Sequence, residues 1–142
     1  MAGSSEYVAR RLYREVWTER RYEVAAELIH PDFSYSAAPG MRGPEAKLKA
    51  IRSYHSSFPD LTVEVDDMVV GEQRVAVRFV IAGTDLGGLR GMPASGKVVR
   101  SWGVDFFGFS EGLIISDWTG VDWLGVLVQL EAVPDPWTAR SP

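Results

Sequence analysis

The apolar residues of this chain change their period once, at Phe58-Pro59-Asp60. Upstream they recur every three or four positions, the spacing of a stripe along a helix. Downstream they alternate, the spacing of one face of a strand. Stripes and faces have to be buried against each other. A block of helices followed by a block of strands therefore predicts an α+β domain, with the helices packed on one side of a mostly antiparallel sheet.

Upstream, the spacing predicts a helix over residues 5–19, capped by Ser4 or Ser5, with Val8, Leu12 and Val16 on one strip and Tyr13 and Trp17 on the next. A second, shorter helix is expected near Tyr22–Ile29. His30-Pro31-Asp32 ends it, because a residue before proline is pushed out of the helical region. Phe33 to Ala38 reads as a short extended or loop segment, and Pro39 to Gly43 as a breaker. Pro44 suits the first position of a third helix over 44–57, whose face is made by Leu48, Ile51, Tyr54 and Phe58.

Downstream, four strands are expected. Leu61–Val70 alternates and is followed by a turn at Gly71-Glu72. In Arg74–Thr84, Val75, Val77, Phe79 and Ile81 share one face, while Ala76, Arg78, Val80 and Ala82 share the other. The glycine-rich loop 85–96 leads to Val98–Phe109, where Val98, Arg100, Trp102, Val104 and Phe106 have one parity. After Ser110-Glu111-Gly112 comes a strand from Leu113, in which Trp118, Gly120 and Asp122 share parity, and then an apolar segment ending at Gln129-Leu130. The 142 residues suit one domain, 1–142, with a core over about 5–131 and a proline-rich tail, 132–142, ordered only in part. A curved sheet closing into a cone beneath three helices leaves a cavity between the layers, a natural place for a mostly apolar small molecule.

Composition narrows the function. A net charge of −4 gives no electrostatic footprint for nucleic acid, and arginines 10, 11, 14, 20 and 21 are offset by Glu6, Glu15, Glu19 and Glu23 on a solvated helix face. There is no cysteine and there are only two histidines, His30 and His55, which argues against thiol chemistry and a zinc site. His55 is expected to be partly exposed. No apolar run approaches the ~20 residues of a membrane span, so a cytoplasmic protein is expected. Gly91 to Lys97 has the spacing of a phosphate-binding loop, but Val98 replaces the magnesium-binding hydroxyl, Pro93 removes a donor, and a strand follows where a helix is needed.

Two carboxylates stand out. Asp122 shares parity with Trp118, and a carboxyl on an apolar face has its pKa raised into the range useful for proton transfer; the alternative is that it caps the following segment. Asp85 continues the parity of Val77, Phe79 and Ile81 and points into the cavity if that face is concave; otherwise it is a turn aspartate bonding its own loop. Asp105, opposite in parity to Trp102, is expected to face outward or bridge strands. Trp17, Tyr35, Tyr54, Met92, Trp102 and Trp118 are the expected substrate lining.

From Trp17 to Leu130 the sequence resembles the SnoaL-like polyketide cyclases of the nuclear-transport-factor-2-like superfamily. The resemblance rests on Pro31-Asp32-Phe33, Gly43, Phe58-Pro59-Asp60-Leu61, Val75-Ala76-Val77-Arg78, Gly83-Thr84, Gly87, Gly91-Met92-Pro93, Gly96-Lys97, Asp117-Trp118, Asp122, Gly125 and Gln129-Leu130. It implies the cone-shaped α+β fold, a homodimer through the outer sheet face, and cofactor-independent ring closure with Asp122 as the acid/base. Asp85, and the pair Tyr35 and Ser36, stand where members of that family often carry histidines. The resemblance implies either an aldol-type closure shared by Asp85 and Asp122 or a templated cycloaddition of a polyene chain. An epoxide hydrolase using Arg78 or Arg100, a small-molecule carrier and an interaction module with a filled pocket are the alternatives.

Overall fold

The computed structural model describes residues 4–138. Helix α1, Ser5–Arg11, continues as a π-helix over Leu12–Thr18; a 3-10 turn, Tyr22–Val24, leads into α2, Ala25–Leu28. Strand β1 follows at Ile29–Tyr35, then α3 at Pro44–Ser57. Strands β2 (Thr62–Val70), β3 (Arg74–Thr84), β4 (Val98–Ser110) and β5 (Leu113–Val121) lead to α4, Trp123–Gln129. The five strands form one sheet in the order β1-β5-β4-β3-β2. The expected α+β architecture is present: β2 to β5 pair antiparallel in sequence, and the helices cover one face.

The fifth strand is the main departure from the sequence expectation. Ile29–Tyr35 pairs parallel with β5, Ile29 opposite Ile114 and Tyr35 opposite Asp117. Pro31 weighs against a central strand, but at an edge its missing N–H costs no ladder bond. The second helix is correspondingly shorter, because Ile29 already has extended backbone. Gly43 closes the link to α3. Its φ is +75°, its N–H donates to the Phe33 carbonyl at 2.9 Å, and a Cβ would meet the Pro31 carbonyl oxygen at 2.9 Å.

One face of β3 and β4 buries Val75, Val77, Phe79, Ile81, Val99 and Phe107 against Leu12, Val16, Leu28 and Ile51. Full burial of such side chains stabilises by roughly 1.5–3 kcal/mol each. Gly103 lies on this same face, and a Cβ there would meet the Phe79 ring at 2.4 Å. Glycine is required for the ring to lie flat on the sheet. Of the tail, residues 132–138 are described, with Asp135 accepting from the Trp137 N–H at 2.8 Å; residues 139–142 lie outside the described part.

The basic face of the first helix is organised by Glu15. It accepts from Arg11 Nε at 3.0 Å and Nη2 at 2.9 Å and from Arg14 at 2.9 Å, and Arg11 also reaches Glu27 at 2.9 Å on α2. Hydrogen bonds from Arg11 lower the Glu15 carboxyl to about 2, against a partial burial cost. A depressed carboxylate pKa contributes stability above its unfolded value, and that stability is lost as the pH falls through the folded value. Glu15→Gln is expected to destabilise the domain at pH 7 by about 1–2 kcal/mol. In urea melts run at successively lower pH, the gap to the unsubstituted protein should narrow between pH 4.5 and about 2. A gap that is independent of pH would show that the ion pairs contribute nothing.

Candidate active site

The register of the sheet gathers the site. Val77 lies opposite Asp105, and Asp105 opposite Thr119; one rung along, Phe107 lies opposite Asp117, and Asp117 opposite Tyr35. Partners across a ladder share a face. The face that buries Val77 and Phe107 therefore also carries two carboxyls, a threonine and a tyrosine inward. Over it lies α3, which lowers Lys47 onto the two rungs, and the π-helix, which supplies Tyr13 and Trp17.

Asp105 is 1% exposed and Asp117 3%. Lys47 Nζ lies 2.7 Å from Asp117 Oδ2 and 3.7 Å from Asp105 Oδ1. The Tyr13 hydroxyl donates to Asp105 Oδ2 and the Thr119 hydroxyl to Asp105 Oδ1. Lys47 also approaches the Tyr35 hydroxyl at 3.4 Å and lies 4.4 Å from its ring centre. Tyr13, Tyr35, Lys47, Asp105 and Thr119 line a small hollow with Trp17, Tyr54, Val63, Phe79 and Ile81, and Asp117 lies behind Lys47. A second, apolar hollow shares Ile81 as a lining residue and lies between Phe58, Val99, Trp123 and Val126.

The electrostatics follow from burial. Burial pushes the Asp117 carboxyl well above its ordinary value; Lys47 opposes this and Asp105 adds to it. Burial works against the charge on Lys47, but Asp105 and Asp117 outweigh it and hold the ammonium protonated. One positive charge faces two carboxyls, so the cluster is neutral when it keeps one exchangeable proton. Burial, reinforced by Asp105, raises the Tyr13 phenol; burial also raises Tyr35, against the pull of Lys47. Both tyrosines are neutral donors at physiological pH. His55 holds the end of the π-helix: its Nε2–H donates to the Trp17 carbonyl at 2.8 Å, which leaves Nδ1 to accept from the Tyr22 hydroxyl at 2.6 Å. Sequence suggested a partly exposed His55; it is buried, because this face of α3 packs against the π-helix.

Of the residues expected to line a pocket, Trp17, Tyr35 and Tyr54 meet in this hollow. Met92 packs against the edge of the core and is not among the lining residues. Trp102 and Trp118 stand on the outer face of the sheet, 52% and 57% exposed, with Phe106 beside Trp118. Their parity was read correctly and their direction was not. Asp105 for the same reason faces inward, and the bridge between strands also expected of it is present, to Thr119 of β5. Asp122 caps α4, accepting from the Gly125 N–H at 3.0 Å. Asp85 is buried, but its carboxylate is taken up by the Gly88 N–H, the Ser95 N–H and the Ser95 hydroxyl at 2.8–3.0 Å, so it ties down its own loop. Neither aspartate lines the hollow. Arg78 pairs with Asp66 on the exposed face, away from the cluster.

Lys47, Asp105 and Asp117 are the residues that sequence reasoning missed. Lys47 carried a signal, since it precedes Ile51 by four and Tyr54 by seven on the apolar strip of α3. Asp117 did not. A register shift between Gly108 and Phe109 makes Ile114 and Asp117 both face inward although they are three residues apart. A bulge of this kind breaks the alternation that a parity argument needs.

Residues 7–130 match the model of a family described as SnoaL-like polyketide cyclase. No curated protein matches the chain. Among solved structures, TsrD from Streptomyces laurentii is 27% identical, aligned over 90% of this chain and 95% of its own, with a TM-score of 0.83. A proposed SnoaL-like polyketide cyclase from Jannaschia sp. CCS1 is 25% identical over 92% of this chain and 93% of its own, with a TM-score of 0.81. IdmH, a proposed polyketide cyclase from Streptomyces antibioticus, is 27% identical over 91% and 99%, with a TM-score of 0.79.

Removing the charge of Lys47 strands two buried carboxyls. Lys47→Met is expected to destabilise the domain by about 3–5 kcal/mol. Lys47 holds the Asp117 carboxyl down against burial, so its removal raises that carboxyl further, and a group with a raised folded pKa contributes stability fully below its unfolded value, near 3.8, and loses it as pH rises. The loss in Lys47→Met should therefore deepen from pH 5 to pH 8, and adding Asp117→Asn should restore part of it. Additive effects in a double-mutant cycle would show that the two groups do not interact.

Proposed function

The chain belongs to the SnoaL-like polyketide cyclase family, and from that premise we propose that it closes a carbon ring in a polyketide-type intermediate by acid/base chemistry in the hollow beneath α3. The observation that carries this reading is the buried cluster of Lys47, Asp105 and Asp117, of which Lys47 and Asp105 face a hollow lined mainly by aromatic and aliphatic side chains. The apolar walls suit the carbon skeleton of such a substrate, and a second apolar hollow lies on the other side of Ile81.

In this reading, Asp105 is the base, because it lines the hollow while Asp117 sits behind Lys47. Its carboxylate takes a proton from a carbon next to a carbonyl. The resulting enolate carbon attacks a second carbonyl carbon of the same chain, forming the ring bond. The new alkoxide takes the proton back from Asp105. Oxidation state and mass are unchanged from substrate to product. Lys47 and the Tyr35 hydroxyl stabilise negative oxygen during the reaction, where fixed donors in a dry site act most strongly. Folding the chain so that its two reacting carbons meet contributes as well, and orientation of this kind can remove roughly 7–11 kcal/mol of barrier.

Incubating the protein with a linear polyene β-diketone and analysing the product by mass spectrometry tests the reading. An isomer of unchanged mass with a new ring supports it, whereas a product heavier by one water identifies a hydrolase. With that substrate, Asp105→Asn should lower kcat by about 10²-fold or more, the range of a lost acid/base group. Asp122→Asn should change kcat less than about threefold, since asparagine caps a helix as well as aspartate does. Ring closure that survives Asp105→Asn would transfer the catalytic task from proton transfer to templating by the walls.

The same reading has two copies of the chain pairing through the outer sheet face. Trp102, Phe106 and Trp118 form a half-exposed aromatic patch there, of the kind that marks an interaction surface. Sedimentation should give a dimer for the unsubstituted chain and a monomer for Phe106→Lys/Trp118→Lys. A monomer in both cases removes this part of the proposal.

A further inference from the structure

One of the residues lining the hollow carries a buried donor without a partner among the described residues. Trp17 is buried, and its ring is fixed edge-on against Tyr54 with centroids 5.3 Å apart. Its indole Nε1–H has no acceptor among the described residues. A buried N–H without an acceptor is costly, and native proteins rarely carry one without reason.

Several polar groups nearby are committed elsewhere. Tyr13 and Thr119 donate to Asp105, Lys47 to Asp117, and the Trp17 carbonyl accepts from His55. His55 thereby holds the backbone that carries the indole. The Lys47 ammonium lies 5.7 Å from the indole ring centre, so the same wall is electropositive. An occupant of the hollow that Trp17 lines can supply the missing acceptor, and an oxygen bearing partial negative charge fits both groups.

We propose that Trp17 is the donor that positions the substrate, its indole N–H binding a carbonyl oxygen with the Lys47 ammonium behind it. This inference deepens the cyclase reading and rests on it. It restricts the substrate class to chains with a keto oxygen at the reacting end and excludes hydrocarbon polyenes of the same length. A carbonyl held by the indole and facing the ammonium has more acidic α-hydrogens. It also fixes which carbon lies beside Asp105. The hydrogen bond strengthens as charge builds on the oxygen, so it contributes most in the transition state.

The test uses two probes: a linear polyene ketone, and the hydrocarbon in which a methylene replaces the carbonyl. In the ¹⁵N-labelled protein, the Trp17 indole N–H resonance, assigned through its own backbone, is expected to move downfield on saturation with the ketone and to stay in place with the hydrocarbon. Trp17→Phe keeps a ring against Tyr54 and removes the donor. Calorimetry should show its ketone affinity reduced about tenfold, the order expected for one lost hydrogen bond, with hydrocarbon affinity unchanged. An indole resonance that does not move with bound ketone, equal affinity of the unsubstituted protein for the two probes, or failure of the ketone to bind overturns the assignment. Ketone-selective binding that depends on Trp17 but yields no ring upholds it and removes the cyclase reading. Ring closure with an unchanged KM in Trp17→Phe does the reverse.

Discussion

Lys47 brings a full positive charge to the inner face of the sheet, and the arrangement of the site depends on its being neutralised there. The ammonium is 2.7 Å from Asp117 and 3.7 Å from Asp105, and it lies over the rings of Tyr35, Trp17 and Phe107. Ring faces attract a cation, so the aromatic walls serve both the charge and the apolar guest. Burial works against the charge on the lysine and the two carboxyls sustain it, and without the lysine burial would push the Asp117 carboxyl higher still. The pairing keeps a charged donor and carboxyl oxygens side by side on a buried face of the sheet.

The sheet is what makes this geometry reproducible. Asp105 and Asp117 come from neighbouring strands, and their inward direction is set by rungs whose other members, Val77 and Phe107, are core residues. A slip of one residue in the β4 register would send both the core and the carboxyl outward, so hydrophobic burial enforces the position of a polar group that it would otherwise exclude. The parallel edge strand β1 extends the second rung to Tyr35. The π-helix completes the enclosure. Its buried residues include Leu12, Tyr13, Val16 and Trp17, so the two rings and two aliphatic side chains reach the same layer. π-helical turns are uncommon and are often found at functional sites.

The helix block, the strands β2 to β5 and the family resemblance were legible in the sequence because each rests on a period or on breakers at fixed places. The direction of β4 was not. In Val98–Ser110 both parities carry aromatics, Trp102 and Phe106 on one and Phe107 and Phe109 on the other, so hydrophobicity alone does not say which faces the helices. Assigning the tryptophan inward reversed the reading of Asp105. The bulge in β5 concealed Asp117, and proline at an edge concealed β1. Asp122 and Asp85 attracted attention as carboxylates near aromatic residues, and both have local partners that a linear sequence does not reveal: the first turn of α4, and the backbone of the 85–96 loop.

Stability alone does not account for the buried cluster. Replacing a buried ion pair by apolar side chains of similar volume is often neutral or stabilising by about 1–4 kcal/mol, because desolvation offsets the attraction between the charges. The hollow is already lined by Val63, Phe79 and Ile81, and leucine or methionine at positions 47, 105 and 117 would extend that packing. A charged triad kept where apolar packing is the easier solution, beside a tryptophan donor without an acceptor, has the character of a site held ready for a polar group of a guest. Where sequence reasoning asked which aspartate sits on an apolar face, the more informative question is which charged residues the core encloses together, and what a molecule entering among them would have to carry.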